Sequence, residues 1–260
     1  MSVFNEEEYL KESLESVLGQ SFREFEFLIC DDSSSDTSSR IISGFTDKRI
    51  KFIRNKTKLG LTKSLNKLIK MSRGEYIARM DADDISLPER FKIQTDFLDK
   101  HHDIAIVGSW AILINTKGRK LRLKKTPIGF EKIRNSVVAA NPFIHPTVMY
   151  RKKTFEKIGI YNEKYIYAQD YELILRLLKG HLGANIDKPL ILYRVANPKS
   201  ISNIRLKQQE IFALKARLEA ITKMGYPIWN SVYLIKPLLS YLVPAPVKIR
   251  AYQRLFWNQQ

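Results

Sequence analysis

Three aspartates fall within four positions at Asp81-Ala82-Asp83-Asp84, directly after the apolar run 76–80. A second acidic turn, Asp31-Asp32, closes the apolar run 25–30. Carboxylates this close repel one another unless a cation sits among them. Hard divalent cations prefer carboxylate oxygens, and Mg2+ or Mn2+ commonly shares such ligands with substrate phosphates. In an Asp-x-Asp turn, one carboxylate can reach a metal while the other reaches a ribose. The bare pattern also occurs in solvated loops, so its weight depends on where the turns lie in the fold.

The flanking residues supply that placement. Leu10, Leu14, Val17 and Leu18 repeat at helical spacing behind Asn5 and Glu8, which have the spacing of a capping box. Residues 25–30, 50–53 and 76–80 predict buried strands, and Leu61, Leu65, Leu68 and Ile69 mark a helix between the last two. Ser86-Leu87-Pro88-Glu89 has the cap, early proline and glutamate of a helix start. Strand alternating with helix predicts an α/β fold, with a mostly parallel central sheet flanked by helices. Ligands of such sheets bind outside the carboxyl ends of the strands, where both acidic clusters fall. Further on, 104–115, part of 141–151 and 186–194 read as strands. Gln169-Asp170-Tyr171-Glu172-Leu173 opens a helix to Lys179, and a long helix follows Ser202.

Composition narrows the partners. Forty-four Lys and Arg against 27 Asp and Glu leave the 260 residues at +17. Such an excess repels itself unless nucleic acid, an acidic membrane surface or a phosphorylated substrate offsets it. Hydrophobic residues at 44% and aromatics at 11% exclude a disordered chain. The single cysteine, Cys30, permits neither an intrachain disulfide nor a cysteine-based zinc site, and its apolar neighbours predict a buried core position. The N-terminal residues, with Glu6, Glu7 and Glu8, do not read as a signal peptide. No run of about 18 uncharged apolar residues offers a membrane span. The longest approach, 226–247, is interrupted by Asn230, Lys236, Pro237 and Pro244.

Four segments, taken together, carry a family resemblance. Met1-Ser2-Val3-Phe4-Asn5-Glu6-Glu7, Leu28-Ile29-Cys30-Asp31-Asp32-Ser33-Ser34-Ser35-Asp36-Thr37, Arg73-Gly74-Glu75-Tyr76-Ile77-Ala78-Arg79-Met80-Asp81-Ala82-Asp83-Asp84, and Gln169-Asp170-Tyr171-Glu172-Leu173 with Arg176 follow in order. In order and spacing they resemble the family-two inverting glycosyltransferases of bacterial cell-surface polysaccharide synthesis.

The resemblance spans about residues 1–200 and implies the GT-A fold. It implies a catalytic domain over 1–202, with a nucleotide-sugar-binding half at 1–100 and an acceptor-binding half at 101–202. The implied reaction moves a sugar from a nucleoside-diphosphate sugar, a UDP-sugar, to a hydroxyl of a lipid-linked saccharide. Asp31 or Asp32 would contact the base, and Phe4 and Glu6 would line the same pocket. Asp81 would face the ribose, and Asp83 would hold Mn2+ or Mg2+ on the diphosphate. Arg79 would partner the acidic turn or the phosphates, or else form a structural ion pair.

Asp170 would be the catalytic base, accepting the acceptor hydroxyl's proton as its oxygen attacks the anomeric carbon. The helix dipole alone also favours an acid there. Gln169 stands where the family often has a glutamate. No histidine follows Tyr193-Arg194, so the resemblance implies no third protein ligand for the metal. His145, in a His-Pro turn, resembles the acceptor-side segment and equally suits a structural histidine.

Residues 199–260 hold ten Lys and Arg against two acids, a local +8. Trp229, Tyr233, Tyr241, Phe256 and Trp257 interleave there with Lys236, Lys248, Arg250 and Arg254. That mixture suits a helix lying in a membrane interface, where each cation near an anionic leaflet contributes about 1 kcal/mol. Residues 203–260 are therefore expected to form a helical, basic and aromatic extension that associates with an anionic membrane surface. A helical subdomain packed on the core, or a dimer contact, is the alternative. The run 117–125, six cations in nine residues, could join the extension, although a solvated hairpin is the default for such a run. These features predict a peripheral enzyme at the cytoplasmic face of the cell membrane.

Two rival classes fit less well. A sugar-phosphate nucleotidyltransferase should carry a glycine-rich basic phosphate loop near the N-terminus, where residues 5–8 are acidic. A nucleic-acid-binding protein needs a basic groove with stacking aromatics or a recognition helix, and the acidic strand ends oppose that. No nucleic-acid partner is expected.

Overall fold

Alternate residues of one buried strand organise the first half of the molecule. The computed structural model describes residues 1–195 and 205–242. Strand β2 (Phe27–Asp31) is buried along its whole length and pairs in parallel with β1 (Ser2–Val3) and β3 (Ile50–Arg54). Phe27 and Ile29 face one way, into a core shared with Leu10, Leu14 and Val17 of α1 (Leu10–Leu18) and Ile42 of α2 (Ser38–Ser43). Leu28 and Cys30 face the other way, onto Leu68 of α3 (Leu61–Met71). This is the period-two logic of a strand covered on both faces, and it buries Cys30 as expected.

A six-stranded sheet follows in the order β4 (Tyr76–Ala78), β8 (Met149–Arg151), β6 (Ile104–Ile114), β9 (Leu182–Arg194) and β5 (Ile85–Ser86), with β7 (Lys120–Lys124) paired to β6. Helices α4 (Arg90–Lys100), α5 (Phe130–Ser136), α6 (Thr154–Ile158) and α7 (Gln169–Gly180) connect these strands. β4 and β5, from the first hundred residues, enter this sheet beside strands of the second hundred. Ile106 of β6 packs with α7, and its neighbour Val107 packs with the first core, so one strand joins both.

The α/β class holds, but the sheet is not mostly parallel. β1–β2, β2–β3 and β6–β9 are parallel, whereas β4–β8, β5–β9, β6–β7 and β6–β8 are antiparallel. A parallel neighbour needs a crossover, and helices lie between the partners of each parallel pair. β7 instead returns on β6 through a tight turn at Gly118 (φ 77°), the exposed basic hairpin that is the default for 117–125.

Two expected caps are absent. Asn5 does not cap α1, whose N-cap is Tyr9, and the Asn5 Oδ1 instead accepts from the Ser35 N–H at 2.9 Å. Ser86 lies in β5, and α4 begins only at Arg90.

Beyond the second sheet, α8 (Leu206–Thr222) lays Ala216 and Ala220, both fully buried, on the α7 core. A short 3-10 turn (Ile228–Ser231) then leads into α9 (Val232–Leu242). The domain boundary expected at 202, and Lys248, Arg250, Arg254, Phe256 and Trp257, lie outside the described residues.

Candidate active site

The loops after β1 and β2 are sewn to each other. The Asn5 N–H donates to Ser34 Oγ at 3.0 Å and the Glu6 N–H donates to Ser38 Oγ at 3.0 Å. The Glu7 carboxylate accepts from the Thr37 N–H at 3.0 Å and from its hydroxyl at 2.7 Å. Asn5 (φ 54°) and Ser33 (φ 65°) are left-handed, a conformation that costs energy outside glycine and clusters at functional sites. Phe4 is half-buried here, with Lys58 Nζ 3.4 Å above its ring, and Glu6 is also half-buried.

Asp31 and Asp32 have separate tasks. Asp32 Oδ1 accepts from Asn55 Nδ2 and the Leu59 N–H, both at 2.8 Å, and its Oδ2 accepts from the Gly60 N–H at 2.7 Å. Asp32 thus fastens the 55–60 loop and the entry to α3. Gly60 (φ 91°) supplies a backbone conformation that side-chain-bearing residues rarely adopt. Asp31 Oδ1 accepts from the Ser34 N–H at 3.0 Å, and its Oδ2 lies 3.1 Å from Nε of the half-exposed Arg54.

The second acidic turn follows β4 and is surrounded by buried arginines. Arg79 donates to the Met80 carbonyl and to the Asp81 carboxylate. Burial raises the Asp81 carboxyl, but Arg79 and His145 outweigh it and hold it below the usual range. Asp84 is fully buried; its Oδ1 accepts from the Arg194 N–H at 2.8 Å and its Oδ2 has no hydrogen-bond partner. Burial, with Asp83 and Asp81 adding to it, pushes the Asp84 carboxyl well above its ordinary value. Arg90, fully buried, donates to the Arg79 carbonyl at 2.7 Å and is lowered to about 9 by burial.

Arg194, at the end of β9, ties this turn to the rest of the molecule. Its Nε donates to the Asp83 carbonyl at 2.8 Å and its Nη1 to the carbonyls of Asn115 (3.0 Å) and Thr116 (3.1 Å). Its Nη2 donates to Glu12 of α1 at 2.8 Å, and the guanidinium lies 4.2 Å from the Tyr9 ring centroid. One side chain therefore joins the acidic turn, α1 and the β6–β7 hairpin.

Asp170 is the second residue of α7, behind Ala168 in a left-handed conformation (φ 52°). Its Oδ2 accepts from Asn141 Nδ2 at 2.9 Å, and the adjacent Gln169 is buried. Arg176 pins the helix by pairing with Glu172 at 2.8 Å and donating to the Ile160 carbonyl at 3.0 Å. His145 Nε2 bonds the Tyr161 hydroxyl at 2.8 Å. Burial, helped by Arg79, lowers His145 to about 4 against the opposing pull of Asp170 and Asp81. His145 thus lies within electrostatic reach of both the Asp81 turn and the Asp170 carboxylate.

The carboxylates fit a divalent cation as hard oxygen donors, and the buried Asp84 Oδ2, partnerless and with its carboxyl pushed up by burial, Asp83 and Asp81, is a group whose charged form a cation beside Asp83 would favour. Among the described residues no group of three His, Cys, Asp or Glu is placed to hold a metal. A cation held by Asp83 would therefore take most of its ligands from phosphate and water.

Sequence reasoning missed Arg54, Asn55, Asn141 and the Arg194–Glu12 link. Arg194 stood out only as a landmark, and nothing local signals a partner on α1.

Residues 1–159 match the family described as glycosyl transferase family 2. The chain belongs to that family. Among similar proteins, the putative glycosyltransferase EpsE of Bacillus subtilis is 30% identical over 100% of this chain and 94% of its own length. The amylovoran biosynthesis glycosyltransferase AmsE of Erwinia amylovora is 28% identical over 98% and 97%. WfgD of Escherichia coli, named a UDP-Glc:alpha-D-GlcNAc-diphosphoundecaprenol beta-1,3-glucosyltransferase, is 26% identical over 94% and 90%. Among solved structures, S. aureus TarS 1-349 in complex with UDP-GlcNAc superposes with a TM-score of 0.68 at 21% identity, covering 91% of this chain and 70% of that one. The mannosyltransferase PcManGT of Pyrobaculum calidifontis, in complex with GDP-Man and Mn2+, gives a TM-score of 0.60 at 14% identity over 99% and 79%. The fold is GT-A and the chain is a glycosyltransferase; family 2 membership removes the nucleotidyltransferase reading.

Proposed function

We propose that this glycosyltransferase moves a sugar from a UDP-sugar to a hydroxyl of a lipid-linked saccharide in surface polysaccharide biosynthesis, inverting the anomeric centre. The observation that carries the reading is the acidic turn that follows β4, held by Arg79 and Arg194, with His145 in electrostatic reach of both its Asp81 and Asp170. The names of WfgD and AmsE support the acceptor class and the process. The bound UDP-GlcNAc of TarS supports the donor.

In this mechanism Asp31 recognises the base, because Asp32 already holds three donors of its own loop. The base approaches the Asp31–Arg54 pair, with Phe4 and Glu6 lining the pocket. Asp81, oriented by Arg79, faces the ribose. A divalent cation, Mn2+ or Mg2+, held by Asp83 would supply Lewis-acid stabilisation of the leaving diphosphate. Asp170, steered by Asn141, accepts the proton of the acceptor hydroxyl as that oxygen attacks the anomeric carbon from the face opposite the diphosphate. The acceptor's lipid would hold the enzyme peripherally at the cytoplasmic face of the membrane. No nucleic acid enters the reaction.

Incubating the protein with UDP-sugars, Mn2+ and a diphospholipid-linked acceptor tests the reading, with the product's anomeric configuration read by NMR. Asp170→Asn should abolish transfer while UDP binding persists, and Asp83→Ala should weaken Mn2+-dependent UDP binding. Full activity in Asp170→Asn, or a product that retains the donor's configuration, would refute it.

A further inference from the structure

The C-terminal extension divides into a fastened part and an inverted part. α8 is fastened: Tyr165 donates its hydroxyl proton to Glu219 at 2.6 Å, and Arg217 donates to the carbonyls of Val138 (3.0 Å) and Ala139 (3.2 Å). The grip continues where Lys179 Nζ donates to the Gly225 carbonyl at 2.6 Å and Tyr226 donates to the Leu175 carbonyl at 2.9 Å. As far as Tyr226, the extension packs on the core.

From Ile228 onward the pattern reverses. Ile228 is 75% and Trp229 72% exposed, and Val232, Ile235, Leu238 and Leu239 of α9 are each more than half exposed. The last four follow at i, i+3, i+6 and i+7, a single stripe about 120° wide at 3.6 residues per turn. Leu234, Pro237 and Ser240, on the other side, are half-buried, and Ser240 donates to Glu210 of α8 at 3.1 Å. The helix thus turns its apolar stripe away from the protein it packs against. A contiguous apolar patch of this kind marks an interaction surface.

We infer that this stripe and Trp229 form the face on which the protein lies upon an anionic lipid bilayer. The inference rests on the proposed membrane-held acceptor and assigns the surface that meets the lipid. Charge selects this occupant over a second copy of the chain. Residues 199–260 carry ten cations against two acids, so an isologous contact would bring that excess against itself, whereas an anionic leaflet offsets it. Lys236 flanks the stripe, and Lys248, Arg250 and Arg254 follow it in the chain. Trp229 at the head of the helix suits the headgroup level, where one end of an aromatic is wet and the other apolar.

The test is sedimentation of the full chain with phosphatidylcholine vesicles, with and without phosphatidylglycerol, at low and high salt and without any nucleotide sugar. The protein should pellet with the anionic vesicles, less so at high salt. Ile235→Glu with Leu239→Glu should weaken that partition by about tenfold or more while leaving the melting temperature and UDP binding unchanged. The difference spectrum against Trp229→Phe should show Trp229 emission moving to the blue on vesicle addition.

Vesicle binding equal in wild type and double variant overturns the inference, as does no binding to anionic vesicles. A concentration-dependent dimer abolished by the double variant would assign the stripe to a second copy. Trp229 shielded from iodide without lipid would assign it to the chain's own C-terminus. None of these readouts uses glycosyl transfer, so failure here is distinct from failure of the proposed reaction.

Discussion

Replacing Arg194 with Met keeps much of the stem's volume and deletes the guanidinium, whose side chain is 1% exposed. Three carbonyls, those of Asp83, Asn115 and Thr116, then lose a donor. At roughly 1 kcal/mol for each partly buried group, the cost is about 3 kcal/mol. The Glu12 pair adds little because that carboxylate is 55% exposed and water replaces the lost charge. For a chain of this size the melting temperature should fall by roughly 6–12 °C. The turn carrying Asp83 would also lose its main tether, and loss of an outer-shell partner costs about 10–100-fold in metal affinity. Thermal unfolding and Mn2+ titration in the presence of UDP read the two effects separately. Arg194→Lys, reaching fewer acceptors, should fall between, and Glu12→Gln should change stability by less than about 1 kcal/mol. A melting temperature within about 2 °C of wild type for Arg194→Met would refute the assigned tether. An unchanged Mn2+ half-saturation would refute its link to the metal turn.

The two adjacent acids of the first turn should separate in a pair of variants. Asp32→Asn sets an amide against one of three donors and should cost about 2–4 kcal/mol in urea unfolding. Asp31→Asn can keep its bond from Ser34 and should cost about 1 kcal/mol at most, yet lose UDP affinity in calorimetry. A reversed order would assign base recognition to Asp32. His145, lowered to about 4 by burial and Arg79, binds its proton less well folded than unfolded. Stability from the neutral ring is therefore complete above the ordinary value near 6.5 and declines as pH falls toward 4. His145→Gln, which can still bond Tyr161, should lose less stability between pH 7 and 5 than wild type. Arg217→Ala removes two bonds to the 138–139 segment and should cost about 1–2 kcal/mol. Faster amide hydrogen exchange across α8 would report it, and unchanged exchange would mean that Ala216 and Ala220 hold the helix alone.

Legibility in this sequence follows the range of the interaction that fixes each feature. β2 was readable because burial on both faces writes an apolar run, and its end was readable to within a residue because the acid pair interrupts that run, although the strand takes in Asp31 before it stops. α1, α3 and α7 repeat apolar residues at helical spacing, a signal contained within each element. The order of the second sheet was not readable. β4 and β8 share no local pattern, and pairings of only three residues (β4–β8) and two (β6–β8) leave too few side chains to set a register in advance. The Asn5 cap failed because Ser35, thirty residues away, offers an N–H that takes the side chain first.

The division between Asp31 and Asp32 shows the same limit inside a legible motif. Neighbouring residues at a strand end point to opposite sides, so two adjacent acids cannot serve one ligand equally. The side that closes on itself is chosen by Asn55, Leu59 and Gly60, which meet Asp32 only once β3 has paired with β2. Arg194 takes the point furthest. It lies 182 positions from Glu12, and their meeting requires β9 to bring its end beside the acidic turn and α1. Acid types could be read as chemistry because clustered carboxylates repel one another unless a cation or hydrogen-bond donors offset them, although Asp32 turns out to serve its own loop. An arginine ending a strand has many structural uses, and only the assembled fold shows that the four bonds of this guanidinium join the acidic turn to α1 and to the β6–β7 hairpin.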